Sequence, residues 1–214
     1  MANAIIEPCR DLEDSLAVLN RVGFMYLHVS PLLPSLAEAD KGAWWVRLIE
    51  ERLAVNTKLV AGKTTLVSPE VFRLWTLAYG GSAECRCEED MAAGLMDRDA
   101  YRLLISMLGK PPAAKGHIGT RCGLKGRQLT RAMGILQRRG WIVPAEQDRR
   151  RVSGMITFLW TTADDWWGDP PLCDNRQDRM DAWHEFIGRL AAACQTDPGY
   201  AQRLISWSPT ADIA

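Results

Sequence analysis

IGTRCGLKGRQLTRAMGILQRRGWIVPAEQDRRRVSGMITFLW, residues 118–160, is the stretch whose reading decides the fold. Gly123 and Gly126 bracket a turn, and a helical run follows from 127 to 139, ending at Arg138-Arg139-Gly140. Within that run Leu129, Ala132, Met133 and Leu136 recur at three and four, the spacing of one buried helix stripe. Arg127, Gln128, Arg131 and Arg138 fall on the opposite face. Residues 141–143 then read as a short apolar strand, 144–151 as a basic hairpin tip, and 152–160 as the return strand. Nine residues between Arg121 and Arg151 are Lys or Arg, against Glu146 and Asp148, a local charge of +7. A compact basic module of this layout is the electrostatic footprint of a nucleic-acid contact.

Outside the module the balance reverses. The whole chain of 214 residues has 26 basic and 26 acidic side chains, so the remainder carries −7. A basic face on a mildly acidic body fits localised binding and excludes a diffuse positive coat. The hydrophobic share of 47% suffices for a sizeable core, to which nine tryptophans bring large apolar pieces. No window approaches eighteen uninterrupted apolar residues, and the N-terminal residues lack a signal-peptide pattern. A cytoplasmic protein with reduced thiols is therefore expected of the six scattered cysteines.

Working outward, residues 11–28 carry Leu12, Leu16, Leu19, Val22, Met25 and Tyr26 at helical spacing. Pro31 and Pro34 break the pattern. A second helix is expected over 36–59, with Trp44, Trp45, Leu48, Ile49 and Leu53 near one face. Ser68-Pro69-Glu70 is a helix start, with a serine cap and proline in the first turn. Val71, Leu74, Trp75 and Ala78 mark that helix's inner side, and Gly80-Gly81 ends it. Residues 84–96 form a short helical candidate. Asp97 or Asp99 caps a helix through Tyr101, Leu104, Ile105 and Leu108, closed by Lys110-Pro111-Pro112. Residues 114–122 are a weak helix, because Gly116 and Gly119 each cost about 1 kcal/mol relative to alanine. After 162 come a polar segment with Trp166-Trp167, a break at 168–171, a long helix capped by Asp174, and a last helical piece over 198–207.

A helix, a short turn and a second helix bearing long basic and amide donors is the helix-turn-helix arrangement. Over residues 101–162 the chain resembles the MarR family of winged-helix transcription regulators. GLKGRQLTRAMGILQRRGWI is similar to that family's recognition helix, and DRRR at 148–151 to the tip of its wing. The resemblance implies a homodimer with two recognition helices in successive major grooves of double-stranded DNA and two wings at minor grooves. It places Lys125 at the start of the recognition helix and Arg127, Gln128, Thr130, Arg131 and Arg138 on its DNA side. Arg149, Arg150 and Arg151 become the wing. Arginine can grip guanine bidentately and glutamine adenine, and wing arginines suit a narrow minor groove. About a hundred residues precede the module where the family needs only a helix or two, and the break at 168–171 interrupts what is usually a continuous dimerisation helix.

Other motifs are weaker. Cys85-x-Cys87 lacks the partners of a four-ligand metal set, and residues two apart on a helix face different ways. His28, His117 and His184 stand far apart without a base or ligand partner. AGKTT at 61–65 lacks the leading glycine of a phosphate-binding loop. Cys122 is expected to pack beneath the second helix, and the tryptophans to serve core or interface. No catalytic constellation, cofactor or metal site emerges, so a non-enzyme is expected.

The expectation is thus a mainly α protein with a small β-hairpin wing, a winged helix-turn-helix flanked by N- and C-terminal helices. It divides into an N-terminal helical region (1–97), a DNA-binding domain (98–162) and a C-terminal dimerisation region (163–214). The function expected is a sequence-specific DNA-binding transcription regulator, a homodimeric repressor. Any small-molecule effector would bind among the tryptophan-rich helices. The alternatives are a replication or partition protein of a plasmid or mobile element, and a winged-helix protein-interaction adaptor that binds no DNA.

Overall fold

Asp11 opens the first helix, accepting the Asp14 amide at 2.9 Å, an N-cap that satisfies one orphan donor. In the computed structural model, which describes residues 9, 11–28, 30–35, 44–149, 156–168, 171, 173 and 175–205, helix α1 spans Leu12–Val22. Gly23, in the left-handed conformation, ends it, and strand β1 (Phe24–Tyr26) follows. The helix expected over 11–28 is therefore shorter, and its last apolar residues belong to a strand.

The second expected helix changes more. Helix α2 covers only Trp44–Glu50, and residues 36–43 lie outside the described set. The Leu53 and Ala54 amides both turn back to the Leu48 carbonyl at 2.8 Å. Strands β2 (Val55–Thr57) and β3 (Thr65–Val67) follow, and the three strands make an antiparallel sheet in the order β1-β3-β2. All nine residues of this sheet are buried. Phe24, Tyr26, Val55 and Val67 face the main core, whereas Met25 and Leu66 face a smaller cluster with Leu19, Leu48, Ile49 and Ala54. With both faces covered, these strands lack the polar alternation that marks a strand in sequence.

Helix α3 (Pro69–Tyr79) starts as expected, with Ser68 accepting the Val71 amide at 3.3 Å and proline at the first position. Helix α4 spans Ala83–Ala92 and α5 spans Arg98–Met107, capped by Asp97. A two-residue strand β4 (Ala113–Ala114) leads into α6 (Lys115–Cys122) and α7 (Gly126–Arg138). Strands β5 (Ile142–Gln147) and β6 (Phe158–Thr162) complete a second antiparallel sheet, in the order β4-β6-β5. Pro144 lies within β5, where the hairpin tip was expected to begin. Among the described strands β5 pairs with β6 alone, so it is an edge strand that tolerates the missing donor, and the register slips between Pro144 and Glu146. Residues 150–155 lie outside the described set, and with them the start of the expected return strand.

Helix α8 (Ala163–Trp167) is capped by Thr162 where a polar segment was expected. The long helix α9 covers Arg176–Ala193 and is capped by Asn175, one residue after the expected Asp174, which is not described. Helix α10 (Pro198–Arg203) is shorter than the expected 198–207. The protein is thus mainly helical, with two small three-stranded antiparallel sheets among the described residues. One buried cluster draws members from Phe24 to Ile205. Trp75 of α3 lies 5.2 Å from Phe186 and 6.2 Å from Trp183, both on α9. Phe72 stacks on Trp167 at 5.8 Å. The tryptophans at 75, 166 and 183 are core, as their helical spacing implied.

Candidate nucleic-acid interface

Helix α7 is held by its apolar stripe. Leu129, Ala132, Met133 and Leu136 are buried, as expected. Beneath it, α6 approaches so closely that a Cβ on Gly119 would lie 2.7 Å from Leu129 Cδ2 and 2.8 Å from the Leu124 carbonyl oxygen. The glycine that weakens α6 on propensity is what lets α7 seat on it. Cys122 is buried at the end of α6, and Arg102 donates to its carbonyl at 2.8 Å.

The opposite face of α7 is open. Lys125, Arg127, Gln128, Thr130 and Arg131 are all exposed, and Arg138 is half-buried. Lys125 is the N-cap, and its side chain makes no capping hydrogen bond. That end of the helix lacks a side-chain cap and carries the positive end of the macrodipole, which attracts anions. Arg127, Thr130, Arg131 and Arg138 share a groove of about 750 Å³ with Lys58 and Lys115. Its lining includes Gly126, Leu129 and Gly134, and no acidic residue among the described ones. Five cations around one concave surface produce a potential that like-signed neighbours reinforce.

Each member is placed by its neighbours. Lys115 Nζ donates to Thr130 Oγ1 at 2.8 Å, and the Thr130 hydroxyl donates to the Gly126 carbonyl at 3.1 Å. Arg131 pairs with Asp97 at 2.9 Å, yet its side chain keeps 74% of its exposure. Such a pair contributes about 0–1 kcal/mol, so a phosphate can compete for the guanidinium. Lys58 enters from the turn after β2, where its amide donates to the Gln137 carbonyl of α7 at 3.2 Å. Lys58 and Lys115 were missed in sequence. Lys115 lies just upstream of the charge run, and Lys58 is separated from it by more than sixty residues.

Arg139, the next residue past α7, behaves oppositely. Its side chain is only 11% exposed and forms an ion pair with Asp90, which is 5% exposed. The same guanidinium donates to the Leu95 carbonyl at 2.7 Å and lies 5.2 Å from the Trp141 ring. The Trp75 indole donates to the Arg139 carbonyl at 2.9 Å. Gly140 follows with φ +67°, and a Cβ there would meet Trp75 Nε1 at 2.8 Å. Arg139 therefore locks α7 to α3 and α4, and its charge is unavailable to a ligand.

Arg149 lies apart from the α7 groove. It donates to Glu50 of α2 at 3.0 Å, and Glu50 also accepts the Gln147 amide at 3.2 Å. These residues line a second cavity of about 680 Å³ with Arg52, Lys110, Asp165 and Trp166. Among its acids, Asp165 accepts from the Thr162 hydroxyl at 2.6 Å and the Gly109 amide at 3.2 Å. The expected contacts Arg150 and Arg151 lie outside the described residues.

Cys85 is exposed and Cys87 buried, on different sides of α4, and burial pushes the Cys87 thiol up to about 12. Burial likewise raises Cys194 to about 11. Asp164 accepts the Ala83 amide at 2.8 Å, tying α8 to α4, and burial raises its carboxyl above the usual range despite that bond. Among the described residues no three His, Cys, Asp or Glu side chains cluster as metal ligands. No described helix is long and apolar enough to cross a membrane.

A mainly helical protein that turns the basic face of one well-seated helix outward is the class that fold and site define. The profile of a family described as "AlkZ related" matches residues 9–205, and the chain belongs to that family. No curated protein and no solved structure matches the chain.

Proposed function

We propose that this protein binds double-stranded DNA through the exposed face of α7, with Arg127, Gln128 and Arg131 toward the bases and neighbouring cations on phosphates. The observation that carries this reading is the groove of Lys58, Lys115, Arg127, Arg131 and Arg138, five cations with no acid among the lining residues. Phosphate contacts would supply salt-dependent affinity, and the helix would supply base readout. The order α5, β4, α6, α7, β5, β6, with the two long strands returning beside the helix pair, supports reading residues 98–162 as a winged helix. On that reading Lys125 guards the helix start, and the tip from Arg149 through Arg150 and Arg151 is the wing. The flanking helices provide a homodimer, with two copies of α7 on neighbouring major grooves.

Two settings fit such a protein. One is a regulator, in which the dimer occupies an operator and acts as a repressor. The family match favours the other. It spans nearly the whole chain, far more than the winged-helix segment, and the name it bears is linked to DNA repair. Polarisation titrations with matched duplexes separate these settings: an operator binder prefers one genomic sequence, and a repair-linked binder prefers a lesion over the same intact sequence. In both, Arg131→Ala weakens duplex binding, and wild-type protein that ignores all duplexes at low salt sinks the reading.

A further inference from the structure

The turn after β2 has no part in the recognition helix, yet it delivers a lysine to the same groove. Lys58 is half-buried at the C-terminal end of α7, where its backbone amide is bonded to the Gln137 carbonyl at 3.2 Å. Lys115, the first residue of α6, reaches the N-terminal half and is fixed on Thr130 at 2.8 Å. Their two anchor points on α7 are seven residues apart, roughly 10 Å at 1.5 Å per residue. Between the anchors the floor is low, because Gly134 carries no side chain and Thr130 is short. Arg127, Arg131 and Arg138 line the same groove from α7 itself.

We propose that Lys58 and Lys115 form a two-point phosphate clamp that holds one strand of duplex DNA against α7. This rests on the reading of α7 as the DNA-binding helix and extends it by giving Lys58, in the turn after β2, a direct role in the interface. An ammonium is a compact point charge suited to phosphate and carries no base preference. The clamp thus sets affinity and position, while Arg127, Gln128 and Arg131 set sequence preference. Because the Lys58 amide is the group bonded to α7, removing the side-chain charge leaves the anchor of the turn intact.

The test compares the intact protein with Lys58→Gln, Lys115→Gln and the double variant on two unrelated duplexes across a salt series. The clamp predicts that each substitution makes the slope of log affinity against log salt shallower by about 0.9, and the double by about 1.8. The affinity loss is the same factor on both duplexes, and Lys58→Arg restores it. Wild-type slopes retained in both single variants overturn the clamp while leaving α7 as the binding helix. A loss confined to one duplex also overturns it, since that is base readout. Absence of duplex binding by the wild type removes the clamp and the underlying reading together.

Discussion

The two ends of α7 use the same side chain for opposite purposes. Toward the N-terminal end, Arg127 is exposed, and Arg131 keeps most of its exposure despite its pair with Asp97. One residue past the C-terminal end, Arg139 is enclosed by Asp90, Tyr79, Trp141 and the Leu95 carbonyl. Charge density along a sequence therefore overstates what a ligand can meet. Burial sorts the cations into those that face outward and those that hold the helix in place.

The largest expected effect breaks that contrast directly. Arg139→Ala leaves the Asp90 carboxylate buried without its cation, a loss of about 3–5 kcal/mol, measured as a fall in the urea midpoint. Arg127→Ala leaves stability within about 0.5 kcal/mol and instead weakens duplex binding by about 1–3 kcal/mol. If Arg139→Ala proved stability-neutral, or Arg127→Ala destabilised the fold, the division between the two ends would be wrong. A matched apolar replacement sharpens the point: Arg139→Met with Asp90→Leu recovers most of the loss, because neither charge then needs desolvation.

How far this was legible in sequence depended on exposure. The stripe Leu129, Ala132, Met133 and Leu136 and the cap Ser68-Pro69 could be read because each belongs to an element with one wet face. Strands β1, β2 and β3 could not. Their residues are buried on both sides; Phe24–Tyr26 continues the apolar run of α1, and β2 and β3 are three residues each, too short to show a period. Pro144 suggested a turn because an edge strand cannot be distinguished from a loop before its partners are known. Within the site, Arg127 and Arg131 were evident from helix phase. Lys58 was not, since only the fold brings the turn after β2 beside Gln137. The binding of Arg139 to Asp90 was equally hidden, since they lie 49 positions apart in the chain.

A smaller effect lies where α4 meets α8. Asp164 has its carboxyl pKa raised by burial, so ionisation opposes folding above that pKa and the cost disappears as pH falls through it toward the unfolded value. Asp164→Asn keeps an oxygen acceptor for the Ala83 amide, so it raises Tm at neutral pH. The gain shrinks as the solution is acidified through the folded-state pKa. A gain that grew on acidification would mean that the ionised carboxylate is the favoured form in the fold.

The salt dependence of duplex binding by the wild type, set beside that of the Arg127→Ala/Arg131→Ala double variant, tests the central claim most directly. The account predicts a steep linear fall of log affinity with log salt for the wild type, and a shallower line with lower affinity for the variant. Identical lines, or no measurable wild-type binding at low salt, would contradict it.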